Sequence, residues 1–237
     1  MSIEIVTHCW AKNVPQYATF LRAQLSSIIA YEPCVEHSVT VCYSEDDPFT
    51  TGVVLEYQHR MNLKKMPMEN NRLWRRCIGR NAAAMDSKHD VIWFTDCDYL
   101  FGRWCLESVV GSWHANQKPD LMWPEIYLAN NDKTRIDEFS KVNEKSTGDI
   151  LPCLDGWVYK RFDRAIGGVQ IVSGKYARQH GYLHKSKRWH RPAETPFPDF
   201  RDDVVFRETL LKQGRAVPIQ PPNLFRMRHT EVGYAQT

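Results

Sequence analysis

The sequence predicts an α/β fold built on a mixed, mostly parallel sheet that is flanked by helices. Short apolar runs alternate with helical patterns in the first half, which is typical of parallel strands joined by crossover helices. The run at 91–95 is almost entirely apolar, as expected of a central strand buried on both faces. With 237 residues and 43% apolar residues, the chain can fill a large core. We expect one domain over 1–237.

The first elements follow from local periodicity. Residues 3–7 form an apolar opening strand, and 15–30 carry apolar side chains at the i, i+3, i+4 spacing of a helix. A second strand at 39–43 leads into the acidic, turn-forming loop 44–48. A weaker strand is expected at 61–65.

The middle of the chain continues this pattern and then loses it. A helix is expected from Asn70-Asn71, which can cap it, to about residue 87. A further helix after Gly102 leads to a strand at 121–123. Residues 129–160 are polar and aperiodic, which predicts a loop-rich lobe.

The last third regains order in shorter pieces. The segment 167–173 predicts a strand and is followed by a short helix that ends at Gly181. A basic, aromatic loop covers 184–200. The helix expected at 202–213 is closed by Gly214, which we expect in a left-handed conformation. An extended tail follows.

Bulk composition narrows the class of protein. No apolar stretch approaches the roughly 18 residues of a membrane span, and the first four residues lack signal-peptide features, so we expect a cytoplasmic protein. The seven cysteines form no close pair, which favours reduced thiols. The net charge of +3 is compatible with a polyanionic partner but too small to imply one.

Two carboxylates, Asp96 and Asp98, follow the apolar run at 91–95 and are separated by one residue. In an extended backbone, side chains at this spacing leave on the same side. They can hold a hard divalent cation, which in turn would bind a nucleotide diphosphate. A solvated turn is the simpler interpretation, so the motif needs support from its neighbours.

That support comes from the order of other motifs along the chain. Gly79-Arg80-Asn81 lies upstream, Gly167-Gly168 opens a later strand, and Asp202-Asp203 opens a helix. In this order, over about residues 3–230, the chain resembles the GT-A glycosyltransferases, particularly their inverting, family-2-like branch. The late pair in that family is usually Glu-Asp. The Asp-Asp pair here leaves open which carboxylate is the base.

The resemblance implies a nucleotide-sugar-binding half at about 1–120 and an acceptor-binding half at about 121–237. In the first half it implies donor contacts by Thr7, Asp46, Asp47, Arg80, Asp96 and Asp98. Asp96 and Asp98 would also bind Mn²⁺ or Mg²⁺, with His229 completing the metal shell. An imidazole ligand would favour manganese.

In the second half, the resemblance implies that Asp203 or Asp202 deprotonates the acceptor hydroxyl in a metal-dependent transfer of a hexose or pentose. The acceptor would meet Gly168, Lys187, Arg188 and Trp189. Each residue also has a structural interpretation: Arg80 as a helix-face charge, Gly168 as part of a bend, Asp202 as a helix cap and His229 as a solvated side chain.

Alternatives remain at this stage. The cationic and aromatic segments 184–191 and 72–76 are also compatible with a hydroxymethylated base in phage-like DNA as the acceptor, whereas a saccharide would stack on Trp189. A nucleotidyltransferase is a second alternative, although residues 7–10 lack the glycine-rich loop it usually needs. A non-catalytic nucleotide-sugar binder is the third, and it would bind a donor without turnover.

Overall fold

The computed structural model describes residues 1–130, 157–182, 190–196, 201–221 and 223–227. Its helices are α1 (Gln16–Tyr31), α2 (Pro48–Tyr57), α3 (Asn70–Leu73), α4 (Arg76–Asp86), α5 (Cys105–Ala115), α6 (Gly174–His180) and α7 (Asp202–Gln213). Its strands are β1 (Ser2–His8), β2 (Glu36–Tyr43), β3 (Leu63–Pro67), β4 (Val91–Thr95), β5 (Tyr99–Phe101), β6 (Leu121–Pro124), β7 (Ile126–Asn130), β8 (Trp157–Arg161), β9 (Val169–Ser173), β10 (Ala216–Ile219) and β11 (Leu224–Arg226).

A seven-stranded sheet in the order β10-β6-β9-β4-β1-β2-β3 forms the centre of the molecule. β4 occupies the middle position, as the apolar run predicted. β1 pairs in parallel with both β2 and β4, whereas β9 runs antiparallel to β4 and β6. The carboxyl end of β4 therefore lies beside the start of β9, where Thr95 is opposite Val169.

Each face of the sheet carries its own apolar core. On one face, the core includes Ile5, Trp93 and side chains of α1, α2 and α5. On the other, it includes Val6, Phe94 and side chains of α4, α6 and α7. The alternation of β1 and β4 residues between the two cores follows from the two-residue period of a strand. The mixed α/β fold class is thereby confirmed.

A second sheet in the order β5-β11-β7-β8 combines β5 from the predicted nucleotide-sugar-binding half with three strands from the predicted acceptor-binding half. β11 pairs antiparallel with β5 and parallel with β7. This pairing brings the end of the chain next to the residues that follow β4. Most of the aperiodic segment falls at 131–156, outside the described residues, and β7 and β8 border it.

Three local predictions were wrong. The helix expected at 70–87 is divided into α3 and α4, and Glu69, without a capping side-chain hydrogen bond, occupies the cap position instead of an asparagine. The acidic loop 44–48 leads directly into α2, which the sequence did not indicate. Gly214 has φ −134° and is extended, not left-handed. Its small size matters because a Cβ there would lie 2.8 Å from Asp120 Oδ2.

Among the described helices, none has the length and apolar character required to cross a membrane.

Candidate functional site

Asp96 lies at the carboxyl end of β4, between two arginines of α4. Arg80 Nη2 donates a hydrogen bond to Asp96 Oδ1 at 3.1 Å, and Arg76 Nη1 contacts the same oxygen at 3.2 Å. The Arg80 side chain is 2% exposed, whereas that of Asp96 is 27% exposed. Burial would raise the pKa of Asp96, but the neighbouring positive charges of Arg76 and Arg80 outweigh it and lower that pKa. Asp96 is therefore an ionised carboxylate at the surface of a cationic site.

Asp98 faces a different partner. Arg226 Nε, on β11, donates a hydrogen bond to Asp98 Oδ2 at 2.9 Å, and the Asp98 backbone carbonyl accepts one from Met227 N at 2.8 Å. The guanidinium of Arg226 also lies 5.3 Å from the ring centre of Tyr99. Asp98 thus joins the turn after β4 to β11.

The local geometry of the two carboxylates corrects one premise of the sequence argument. β4 ends at Thr95, and residues 97–98 form a turn instead of an extended strand. Asp96 is engaged by α4 and Asp98 by β11, so they do not leave the backbone as a matched pair. Arg226 nevertheless lowers the pKa of Asp96, which shows that the two ion pairs act within one electrostatic environment.

Gly167 and Gly168 lie at the same edge of the sheet and allow close approach by charged groups. A Cβ at Gly168 would lie 2.8 Å from Asp96 Oδ2, and one at Gly167 would lie 3.2 Å from Asp203 Oδ2 and 3.5 Å from Arg80 Nη1. Asp203, Arg80 and Asp96 therefore border one space in front of the two glycines. The structure brings these predicted residues together.

Asp202 is directed to another neighbour. Burial raises the pKa of Cys77 to about 12, and the adjacent Asp202 carboxylate contributes to that rise. Asp202 therefore lies against the first turn of α4, where Cys77 is located. Of the two candidate bases, Asp203 is the one whose carboxylate lies against Gly167, although the charge of Asp202 also acts on Arg80 and helps to raise its pKa.

Thr7 and His8 end β1 beside this space. Thr7 is fully buried, and its hydroxyl has no hydrogen-bond partner among the residues that the structure describes. The same holds for both ring nitrogens of His8, which is 5% exposed. Burial, with the positive charges of Arg80 and Arg76, lowers the pKa of His8 well below 6.5. His8 is a neutral imidazole next to the candidate site, and the sequence analysis did not single it out.

The acidic loop after β2 gives its two aspartates different environments. Asp46 is exposed and accepts a hydrogen bond from Asn70 Nδ2 at 3.2 Å. Asp47 is fully buried, caps α2 by accepting from Phe49 N and Thr50 N, and also accepts from Ala11 N. These bonds give Asp47 a structural role that the sequence argument did not foresee, and its donor contact stays a prediction.

Four predicted residues, Lys187, Arg188, Trp189 and His229, lie outside the described residues. In the other cationic and aromatic segment, 72–76, Arg72 and Arg76 are exposed, whereas the residues between them are buried or partly buried. Arg75 is 5% exposed and Leu73 is fully buried. Arg76 is exposed but contacts Asp96.

Sequence reasoning missed three polar residues that connect the site. Gln170 and Tyr182 are buried beside Arg80, and Arg226 holds Asp98. A glutamine within an apolar strand was a usable signal, because a buried amide requires partners. Arg226 and Tyr182 gave no such signal, since their partners are remote in sequence.

The carboxylate oxygens at this site are suited to binding a divalent cation only if a bound ligand supplies further oxygens. Within the described part of the chain, no group of three or more histidine, cysteine or acidic side chains is placed to hold a metal ion. Asp96 and Asp98 supply carboxylate oxygens, and the missing Cβ of Gly168 lets Asp96 Oδ2 approach the backbone there. Magnesium-type ions are commonly bound by one or two carboxylates together with substrate phosphates. The site fits a cation that arrives with a diphosphate.

These features define the class of fold: the chain has the GT-A fold of glycosyltransferases. Solved structures that it resembles include TarS 1-349 of S. aureus with UDP, at TM-score 0.65 and 14% identity over 96% of this chain and 61% of that one. The same TarS fragment with UDP-GlcNAc gives TM-score 0.62 and 13% identity over 97% and 59%, respectively. The mannosyltransferase PcManGT from Pyrobaculum calidifontis, with GDP-Man and Mn²⁺, gives a TM-score of 0.57 and 15% identity over 98% of this chain and 58% of that one.

The chain thus spans about 60% of the length of these structures. No protein-family model matches the sequence, and no curated protein matches it significantly. At these identities the likeness establishes the fold.

Proposed function

We propose that this chain is a metal-dependent, inverting glycosyltransferase that moves a sugar from a nucleotide diphosphate to an acceptor hydroxyl. One observation carries the proposal: Asp96, Arg80 and Asp203 converge around Gly167-Gly168 at the carboxyl edge of the sheet. Open α/β sheets bind ligands at this edge. The neighbours that bind UDP, UDP-GlcNAc or GDP-Man have the same fold and support a nucleotide-sugar donor.

The donor side of the site is cationic. Arg76 and Arg80 can neutralise a diphosphate, and Asp96 orients both guanidinium groups. Asp96 and Asp98 would hold the divalent cation. When bound, such a cation supplies Lewis-acid stabilisation of the charge that develops on the leaving phosphate.

The acceptor side carries the base. We assign proton removal from the acceptor hydroxyl to the Asp203 carboxylate, because it lies against Gly167, whereas Asp202, although its charge also acts on Arg80, lies against Cys77. A positioned general base contributes typically about 10²–10⁴-fold to such a reaction. Attack from the Asp203 side with departure on the opposite side inverts the anomeric carbon.

For the acceptor, we propose a saccharide rather than DNA. The interior of the cluster at 72–76 is buried, and Arg76 is committed to Asp96, so this segment offers less free positive charge than its sequence indicates. Binding to a DNA backbone depends on such charge.

The test is to replace each acidic residue separately. Asp203→Asn should lower kcat by about 10²-fold or more and leave the donor KM nearly unchanged, because it removes a group needed only in the transition state. Asp202→Asn is the matched control and should retain most activity. UDP- and GDP-linked sugars with Mn²⁺ are the donors, and both donor hydrolysis and transfer are measured.

Other outcomes identify the alternatives. A dead Asp202→Asn variant with an active Asp203→Asn variant would exchange the two roles, and full activity of both would refute the mechanism. Donor binding without any hydrolysis or transfer identifies a binder. Pyrophosphate release from a nucleoside triphosphate identifies a nucleotidyltransferase, and transfer to hydroxymethylated DNA but to no saccharide overturns the proposed acceptor.

A further inference from the structure

Tyr182 connects the central strand of the sheet to the helix that carries Asp203. Its ring stacks on Phe206 of α7 with centroids 4.1 Å apart and contacts Phe94 of β4 edge-on at 4.9 Å. Gly181, with φ +67°, makes the turn that leads the chain from α6 to this position. Tyr182 is 2% exposed, so its hydroxyl must find partners within the protein.

Those partners form a continuous chain of hydrogen bonds across the site. Arg80 donates through Nη2 to Asp96 at 3.1 Å and through Nη1 to Tyr182 Oη at 3.0 Å. Tyr182 Oη lies 2.6 Å from Gln170 Oε1, and Gln170 Nε2 donates to the Asp203 backbone carbonyl at 2.9 Å. Because Arg80 can only donate, the Tyr182 hydroxyl donates onward to Gln170, and the hydrogen bonds from Arg80 to Asp203 run in one direction.

The chain joins the two halves of the proposed reaction centre. One end is the Asp96 carboxylate on the donor side, and the other is the backbone of Asp203 on the acceptor side. Successive hydrogen bonds in a buried chain polarise and strengthen one another. Moving one member therefore changes the geometry of both ends.

We propose that Tyr182 and Gln170 are positioning residues that set the Asp203 carboxylate against the donor site through this chain. The inference rests on the function proposed above and assigns a role to two residues that act through Arg80 and Asp203. We expect replacement of either residue to slow the chemical step, because a shift of about 1 Å in a reacting group can lower the rate by about 10²-fold.

The experiment compares two tyrosine-to-phenylalanine variants. Tyr182→Phe removes only the hydroxyl and keeps the ring packed between Phe94 and Phe206. Tyr176→Phe is the matched control, because Tyr176 is also buried and donates a 3.2 Å hydrogen bond to Gln213, at the opposite end of α7. Tyr176→Phe loses one hydrogen bond, to α7, whereas Tyr182→Phe loses two, from Arg80 and to Gln170. Only Tyr182→Phe breaks the chain.

For Tyr182→Phe, we expect kcat to fall by about 10- to 100-fold while the donor KM changes by less than about threefold. Tyr176→Phe should keep kcat within about twofold of the unmodified chain. Gln170→Met, which preserves side-chain length but loses both hydrogen bonds, should reproduce the kcat loss. Adding Tyr182→Phe to Asp203→Asn should cause little further loss, since residues that act through one another are not additive.

The possible failures are distinguishable. If the unmodified chain turns over no nucleotide sugar, the proposed function falls and this inference falls with it. If the unmodified chain is active and Tyr182→Phe behaves like Tyr176→Phe, the inference alone is wrong. If Tyr182→Phe does not fold, Gln170→Met decides, and an unchanged kcat for a folded Gln170→Met variant overturns the inference.

Discussion

At the scale of single residues, the candidate site depends on charged and polar side chains that the fold encloses. Asp96 and Asp203 stood out in the sequence because each belongs to a short acidic motif at an element boundary. His8 did not, since one histidine after a strand has no distinctive pattern. Its significance comes from burial beside Arg80 and Arg76, which only the folded chain shows.

His8 should make stability depend on pH. The pKa of His8 is well below 6.5 in the folded chain, and 6.5 is its ordinary value in the unfolded chain. At a pH between the folded and unfolded pKa values, the unfolded state therefore binds more protons. Stability is therefore complete above about pH 6.5 and declines as the pH falls, by at most about 1.4 kcal/mol per pH unit. Urea unfolding at pH 7.5, 6.5 and 5.5 measures this slope, which His8→Gln should reduce.

His59→Gln provides the control for that measurement, because His59 is exposed at the end of α2. Its pH dependence should match that of the unmodified chain. Equal slopes for His8→Gln and the unmodified chain would show that other groups cause the pH dependence.

At the scale of elements, most strands of the large sheet were predictable, whereas β5, β7, β8 and the break between α3 and α4 were not. Apolar runs and alternation are local properties, so the limits of β4 and of α7 were predicted correctly. The interruption at 74–75 separates two segments that both have helical composition, and tertiary contacts decide it. Trp74 packs edge-on against Trp10, with ring centroids 5.7 Å apart, and Arg75 is buried.

The approach of α4 to the sheet depends on Gly79. A Cβ at this position would lie 2.4 Å from His8 Nε2 and 3.0 Å from Cys42 Sγ. We expect Gly79→Ala to displace α4, lower the free energy of unfolding by about 1–3 kcal/mol and raise the donor KM by moving Arg80. Denaturant unfolding and steady-state kinetics measure the two effects.

Gly111→Ala is the matched control for Gly79→Ala, since Gly111 lies within α5 and a Cβ there meets nothing within 4 Å. Because alanine loses less conformational entropy than glycine on folding, this variant should be stabilised by roughly 0.5–1 kcal/mol, without an effect on donor KM. A Gly79→Ala variant that behaves like Gly111→Ala would mean that α4 does not need this close contact.

At the scale of the whole molecule, the location of the site was predictable because parallel strands direct their carboxyl ends to one edge. The ion pair between Asp98 and Arg226 was not predictable, since it joins residues 128 positions apart through the pairing of β11 with β5. The same limit applies to Tyr182, which reaches Arg80 over 102 positions. Local patterns identify functional residues, whereas topology determines their partners.

If the proposed function is correct, metal dependence should be a property of this whole assembly, because arginines and carboxylates lie together at the candidate site. UDP or GDP with Mn²⁺ at 100 times the Kd should raise the free energy of unfolding by about 2.7 kcal/mol. A chelator should remove most of that gain if Asp96 and Asp98 hold a cation that bridges to the diphosphate. Thermal or urea unfolding with nucleotide, with and without the chelator, measures the difference.

Two carboxylate variants complete this test. Asp96→Asn should lose the metal-dependent part of the stabilisation, whereas Asp86→Asn, at the exposed end of the same helix that carries Arg76 and Arg80, should retain it. A nucleotide effect that survives both the chelator and Asp96→Asn would contradict metal dependence. The diphosphate charge would then be neutralised by Arg76 and Arg80, and the carboxylates would serve to orient those guanidinium groups.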